Sequence, residues 1–263
     1  LGYLKNLSKT KKPINSCKPD LIHAHYGLSG LLATMQRKKK VVITFHGSDI
    51  NDTVIRYLSW LSHIRAACSI FVSKKLAKKI NATDSFTIPC GVDINIFSPI
   101  DKTAAKKRIG LCADRKYILF SSSFVRPVKN YALARKSLDH INSSGTDLLE
   151  LKGYTREEVG LLMNACDTAL LTSLCEGSPQ FVKEAMSCNC PIVSTDVGDV
   201  REVICDTEGC YITTFEPEDV AEKIKLALDF SEQKGRTRGR KRIIGLGLDS
   251  ESVAKRIINV YER

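Results

Sequence analysis

Two glutamates flank a glycine–proline turn in the second half of the chain. The motif EGSPQFVKEAM places seven residues between Glu176 and Glu184. Gly177 permits a tight turn whose backbone approaches a ligand closely, and Pro179 suits the first position of a helix. The free N–H groups of a first helical turn, with the positive end of the helix dipole, bind anions. The motif therefore predicts an anion site on Gly177, Ser178 and Pro179.

The two carboxylates have two interpretations. Glu184, more than one turn into the helix, is placed to accept hydrogen bonds from both hydroxyls of a ribose, provided that Ala185 and Met186 pack inward. The alternative is a capped helix with two solvated glutamates, which is what an isolated pair at this spacing usually is. The spacing alone leaves both interpretations open.

Histidines follow two predicted strands in the first half of the chain. The apolar run 41–45 ends at His46, and His23 and His25 end the earlier run. Histidines two residues apart on a strand share a face, so a metal site is conceivable. No nearby carboxylate or cysteine completes a ligand set, so we expect no metal. For His23 and His25, a purely structural role and a role in a binding site are equally open.

Short apolar runs alternate with amphipathic stretches along the chain, which predicts parallel sheets flanked by helices in the doubly wound α/β class. The predicted strands are 21–23, 41–45, 69–72, 117–120, 148–151, 168–171 and 191–194. The predicted helices are 52–67, 73–80, 130–141, 155–164, 181–187 and 250–263, with a capping box at Thr155 and Glu158. Turn formers near residue 100 divide the chain, so we expect domains at 1–100 and 101–245, a cleft between them, and a final helical segment at 246–263.

The composition is that of a globular protein, with 43% hydrophobic and 26% charged residues. No apolar run reaches the roughly 20 residues that cross a bilayer, and the first residues do not resemble a signal peptide, so we expect a cytoplasmic protein. Ten scattered cysteines then predict free thiols. The net charge of +11 is compatible with nucleic acid, an anionic membrane or a phosphorylated substrate, but the basic runs lack interleaved aromatic residues, which disfavours nucleic acid.

The motif and the residues after it resemble the family 4 glycosyltransferases. That family has E-G-x-P and E-A-M, then P-V-V-x-T and G-G-x-x-E, and residues 176–202 carry these elements in the same order. Asp199 replaces the second glycine of the last element. Upstream, residues 88–99 resemble the family's P-N-G-V-D linker, with Cys90 in place of asparagine.

The resemblance implies a retaining GT-B glycosyltransferase that uses a nucleoside-diphosphate sugar and needs neither a metal nor another cofactor. It assigns Lys129 to the donor diphosphate, but serines stand at the family's Gly and Arg positions, so we expect Arg126 to supply the missing charge. It also implies that Glu184 holds the ribose and that Glu176 and His46 orient sugar hydroxyls.

The resemblance further implies a final helix that crosses back to the first domain. A first domain lacking its initial strands is also expected. The expected acceptor is a glycan or a lipid-linked saccharide, with peripheral contact to an anionic membrane and no nucleic acid. A sugar-nucleotide epimerase or a phosphorylase of the same fold, or a basic non-catalytic binding module, are the alternatives; no cofactor-lysine signature supports the phosphorylase.

Overall fold

The computed structural model of the protein describes residues 16–141 and 145–263, which form two compact units. The first unit combines the described residues up to Cys90 with Val253–Arg263, and the second is Gly91–Ser252. The second unit thus begins ten residues before the sequence-based boundary, because Val92 pairs with Asp249 and Phe97 is buried in the second unit's core.

The first unit contains a four-stranded parallel sheet in the order β1-β2-β3-β4. Its strands are β1 (Leu21–His25), β2 (Lys40–Phe45), β3 (Cys68–Phe71) and β4 (Phe86–Thr87). Its helices are α1 (Gly27–Thr34), α2 (Ser48–Asn51), α3 (Thr53–His63) and α4 (Lys74–Lys79). Alternation along β2 directs Ile43 into the core beneath these helices, while Val42 packs with Val253 and Val260 near the end of the chain.

The second unit contains a five-stranded parallel sheet in the order β6-β5-β7-β8-β9. Its strands are β5 (Lys116–Phe120), β6 (Thr146–Glu150), β7 (Thr168–Leu171), β8 (Ile192–Thr195) and β9 (Cys210–Thr213). Its helices are α5 (Lys102–Ile109), α6 (Tyr131–Asp139), α7 (Arg156–Ala165), α8 (Gln180–Ser187), α9 (Val200–Ile204), α10 (Pro217–Gln233) and α11 (Gly239–Gly245). The predicted α/β class is therefore confirmed.

Some local predictions hold and others are wrong in detail. The capping box of α7 is present, since the Thr155 hydroxyl accepts from the Glu158 N–H and the Glu158 carboxylate accepts from the Thr155 N–H. Pro179 precedes α8 as its N-cap instead of occupying its first position. The last helix, α12 (Ser250–Tyr261), buries Val253 and Val260 and leaves Ile258 49% exposed.

Three arginines of the basic segment 234–242 bind backbone carbonyl groups in the second unit, two of them at helix ends. Arg236 donates to carbonyls at the end of α7, and Arg242 donates to carbonyls in α9. Arg240 donates from Nη1 to the carbonyls of Ile94 and Phe97, at 2.9 Å each, and approaches the last residue of α8. Because the final carbonyls of a helix lack intrahelical partners, a guanidinium there supplies donors and complements the negative end of the dipole.

We expect Arg240→Ala to lower the free energy of unfolding by about 2 kcal/mol, because charge-assisted hydrogen bonds to buried carbonyls are lost. The exposed Arg238, two residues away, is the matched control. Arg238→Ala is expected to change the unfolding free energy by less than about 0.5 kcal/mol in urea denaturation. Equal losses of unfolding free energy in the two variants would contradict a stabilising role for the carbonyl contacts of Arg240.

Candidate functional site

The predicted donor residues lie on loops at one edge of the second sheet. In a parallel sheet all carboxyl ends point the same way, and ligands of such folds bind beyond that edge. Lys129 lies on the loop that follows β5, Glu176 on the loop that follows β7, and Asp199 on the loop that follows β8. The fold therefore places residues 23 to 70 positions apart at one end of the sheet.

An ion pair joins the first two of these loops. Lys129 Nζ lies 2.6 Å from Glu176 Oε1, and the two side chains are only 11% and 18% exposed. The same carboxylate oxygen accepts a hydrogen bond of 2.7 Å from the Ser173 hydroxyl. Two predicted donor residues therefore contact each other, a contact that the sequence did not reveal.

Hydrogen bonds to backbone carbonyls also join the two loops. The Thr172 hydroxyl donates to the carbonyls of Lys129 and Asn130 at 2.9 and 3.1 Å. The Leu174 N–H donates to the Val128 carbonyl at 2.9 Å. Both loops are thus tied to each other by main-chain atoms, and the ion pair does not depend on side-chain packing alone.

The loop after β8 presses against the glycine–proline turn. Gly198 has φ +57°, and a Cβ at this position would lie 2.6 Å from the Gly177 carbonyl oxygen. The Ser178 hydroxyl donates to Asp199 Oδ2 at 2.5 Å. Only glycine fits at position 198, and the adjoining carboxylate fixes the side chain of Ser178 in the turn.

Asp199 departs from the family pattern, and its environment is unusual. The residue is 7% exposed, and its Oδ1 has no hydrogen-bond partner among the described residues. Burial raises the pKa of the Asp199 carboxyl, while the Lys183 ammonium and the hydrogen bond from Ser178 act in the opposite direction. The fully buried Lys183 also donates to Gln180 at 3.0 Å, so a buried polar cluster underlies the turn.

Arg126 and Ser123 have different surroundings in the loop after β5. Arg126 is exposed, and its Nη1 lies 3.4 Å from the Ser122 hydroxyl. Ser123 donates to Glu150 Oε1 at 2.7 Å, and this bond lowers the pKa of the Glu150 carboxyl. Ser123 therefore organises the base of the loop, which leaves the exposed Arg126 as the cation of this loop that faces solvent.

Glu184 lies on α8 between its buried neighbours. Ala185 and Met186 are fully buried, and Glu184 is partly exposed. Burial raises the pKa of the Glu184 carboxyl, while the charges of Arg156 and Lys183 oppose the shift. Sequence reasoning missed Tyr154, which is 41% exposed on the loop after β6 at the same edge of the sheet. An aromatic residue in an otherwise polar strand-end loop was the available signal.

His46 belongs to a histidine cluster at the carboxyl edge of the first sheet. Its Nε2 lies 2.9 Å from His25 Nδ1, and its Nδ1 lies 3.7 Å from the Cys90 sulfur. Burial lowers the pKa of His46, the charge of His25 lowers it further, and Asp49 opposes the shift. Because a histidine–histidine hydrogen bond needs one acceptor nitrogen, at least one of these two rings is neutral.

Asp49 organises the turn that carries His46 and was missed in the sequence. Its carboxylate is fully buried and accepts backbone N–H bonds from Gly27, His46 and Gly47 at 2.8 to 3.2 Å. Its position three residues after His46, at the start of a short helix, was the available signal, since Asp at helix starts commonly accepts such bonds.

No set of three or more His, Cys, Asp or Glu side chains within residues 16–141 and 145–263 is arranged to hold a metal ion. His23, which was considered as a ligand, contacts the Tyr261 hydroxyl at 2.5 Å and the Thr44 hydroxyl at 2.8 Å instead. Both ring nitrogens of His23 therefore have protein partners.

We expect the stability of the protein to fall between pH 6.5 and pH 4 because of His23. Burial, with the charges of His25 and His46, lowers the pKa of His23 to about 4. The unfolded chain takes up a proton near pH 6.5 and the folded chain does not, so the stabilisation present above pH 6.5 is lost as the pH falls. After allowance for solvent screening at this half-exposed site, the loss is about 1 to 2 kcal/mol.

Urea denaturation at pH 7 and pH 4.5 measures this loss. His23→Gln is expected to flatten the dependence on pH, whereas the control His140→Gln, at a half-exposed position in the second unit, is expected to keep it. An unchanged dependence on pH in His23→Gln would show that other groups cause the loss.

Two family models match the chain. The model described as Glycosyltransferase Family 4 matches residues 1–96, and the one described as Glycosyl transferases group 1 matches residues 146–242. Among curated relatives, TuaC of Bacillus subtilis, named as a glycosyltransferase of teichuronic acid biosynthesis, is 28% identical over 238 residues. That match covers 78% of this chain and 60% of TuaC, so the chain spans less than two thirds of this relative.

Solved structures show the same fold. Sucrose-phosphate synthase from Thermosynechococcus elongatus matches 99% of this chain and 77% of its own with a TM-score of 0.86 at 17% identity. Anabaena HepE in complex with UDP-glucose matches 97% of this chain and 81% of its own with a TM-score of 0.81 at 16% identity. With both family models and these relatives in agreement, the chain belongs to the family 4 (group 1) glycosyltransferases of the GT-B fold.

Proposed function

We propose that the protein transfers a sugar from a nucleoside-diphosphate sugar to a glycan or a lipid-linked acceptor, with retention of anomeric configuration. The observation that carries the proposal is the Lys129–Glu176 ion pair beside the Gly177–Pro179 turn. The ion pair and the turn together place a cation, a carboxylate and free backbone N–H groups at the edge where α/β folds bind ligands.

The donor diphosphate is proposed to lie against Lys129 and the turn. The ammonium group and the N–H groups at the start of α8 are donors aimed at negative charge, and Arg126 adds a second cation from the same loop as Lys129. Because contacts already hold Lys129 in place, little reorganisation is needed when charge develops on the departing diphosphate.

The carboxylates are proposed to bind hydroxyl groups. Glu176 is placed to accept from the transferred sugar, because its Oε2 is not used by Lys129 or Ser173, which both contact Oε1. Glu184 is proposed to accept from the ribose, and the exposed ring of Tyr154 to stack with the base. His46 stays a prediction as a catalytic residue of the first unit.

The proposed chemistry needs no carboxylate nucleophile, metal or other cofactor. The leaving phosphate accepts the proton of the attacking hydroxyl on the same face of the sugar, which differs from the two-carboxylate scheme of glycoside hydrolases. HepE was solved with UDP-glucose, so UDP-sugars are the first donors to test. The name of TuaC, a glycosyltransferase of teichuronic acid biosynthesis, supports a glycan as the acceptor.

The ion pair predicts different effects on UDP binding when each of its two residues is replaced. We expect Lys129→Ala to weaken UDP binding at least about tenfold, because a charge-assisted contact to the diphosphate is lost. We expect Glu176→Ala to abolish transfer but to leave UDP binding unchanged or tighter, because Lys129 is then free to contact phosphate. Isothermal titration calorimetry with UDP and an assay of UDP release from UDP-glucose with acceptor measure the two quantities.

Lys116→Ala is the matched control, because Lys116 forms an exposed ion pair with Glu232 at the amino end of β5. We expect it to change neither UDP binding nor transfer. Weaker UDP binding in Glu176→Ala than in Lys129→Ala would contradict the assignment, and UDP-sugar conversion without any acceptor would indicate an epimerase.

A further inference from the structure

Helix α3 exposes large apolar side chains on one of its faces. The two residues that it buries completely are serines, Ser59 and Ser62. The isoleucine and both leucines of α3 are partly buried, whereas Val54 is 75% exposed and Tyr57 is 65% exposed. An amphipathic helix of a globular protein normally buries its apolar side chains, so packing of the core does not explain the exposed pair.

A close helix contact explains why serines lie inside. A Cβ added to Gly27 of α1 would lie 1.9 Å from the Ser59 hydroxyl oxygen. The same hydroxyl donates to the Asp49 carbonyl at 2.8 Å, and the Ser62 hydroxyl donates to the Ser59 carbonyl at 2.7 Å. Only small side chains fit between the helices, so the exposed apolar residues contribute nothing to this contact.

The exposed apolar residues form one continuous surface, which we call the outer stripe and define as Val54, Tyr57, Trp60 and Ile64. Their spacing of three, three and four residues places them on one face of the helix and the turn after it. The rings of Tyr57 and Trp60 stack with centroids 6.0 Å apart. Trp60 is 40% exposed and Ile64 is 54% exposed.

The part of the chain around the stripe is strongly basic. Residues 16–90 contain eleven lysines and arginines but only four acidic residues. Two of the four acids are engaged within the fold, since Asp49 is buried and Asp52 caps the start of α3. Arg56 lies within the helix and Arg65 directly after it, so cations flank the outer stripe.

We infer that the outer stripe docks on a membrane surface that contains anionic lipids. Tyrosine and tryptophan favour the boundary between headgroups and acyl chains, aliphatic side chains enter that boundary, and flanking cations attract anionic headgroups. Helix α3 has eleven residues, and no helix within residues 16–141 and 145–263 is long and apolar enough to cross a bilayer. The helix would therefore lie in the plane of the surface.

A second copy of the chain is the weaker alternative. Two such faces would bring an excess of positive charge together, and like charges oppose association. Anionic lipid removes the same repulsion, so charge favours a membrane over a second copy. This inference does not rest on the donor chemistry, and its test needs no enzymatic activity.

The protein carries its own reporter, because Trp60 is the only tryptophan in the chain. With vesicles of phosphatidylglycerol and phosphatidylcholine, we expect the Trp60 emission to shift to shorter wavelength and brominated acyl chains to quench it. With pure phosphatidylcholine vesicles we expect at least tenfold weaker binding, and 0.5 M salt should weaken binding to the anionic vesicles.

Val54→Ser with Ile64→Ser tests the stripe and preserves the reporter. We expect at least tenfold weaker binding to the anionic vesicles, with an unchanged far-ultraviolet circular dichroism spectrum and an unchanged urea unfolding midpoint as evidence of folding. The matched control is Ile244→Ser, at a position 50% exposed in the second unit, which should bind like the parent protein.

Three results would overturn the inference. The first is an emission spectrum that anionic vesicles do not change. The second is binding that the double substitution leaves intact. The third is an emission already at short wavelength and protected from acrylamide without lipid, which would show that another segment or a second copy covers the stripe; sedimentation velocity distinguishes these two.

Discussion

The ion pair between Lys129 and Glu176 is the interaction on which the account of the donor site depends. Both groups are largely withdrawn from water, and a charge in such a place must be paired. The pair sets the separation of two loops that follow neighbouring strands, and Thr172 fixes the same loops through their carbonyls. The same contact therefore holds the two loops together and lies in the proposed donor site.

The basic composition of the chain has two distinct physical uses. In the second unit, three arginines of the segment 234–242 bind backbone carbonyls, two of them at helix ends, so their charge is structural. In the first unit, Arg56 and Arg65 flank an exposed apolar helix face. The net charge of +11 therefore includes cations with an internal structural role as well as cations at the surface.

Local pattern predicts much of the fold, and long-range contacts account for what it misses. The strand Thr168–Leu171 was predicted to the residue, because a short apolar run flanked by turns is unambiguous. The edge strand β9 and the long helix α10 were missed, because their mixed polarity resembles solvated chain. Lys129 and Glu176 were each predicted, but not their contact, since 47 residues separate them and only the strand order brings them together.

A crystal structure of this chain with bound UDP tests the central claim most directly. The account predicts that phosphate oxygens lie about 3 Å from Lys129 Nζ and from the backbone N–H groups that follow Glu176, with the two loops in the arrangement seen without ligand. A diphosphate bound elsewhere, for example beside the exposed Lys241 at the opposite end of α8, with Lys129 still paired only to Glu176, would contradict it.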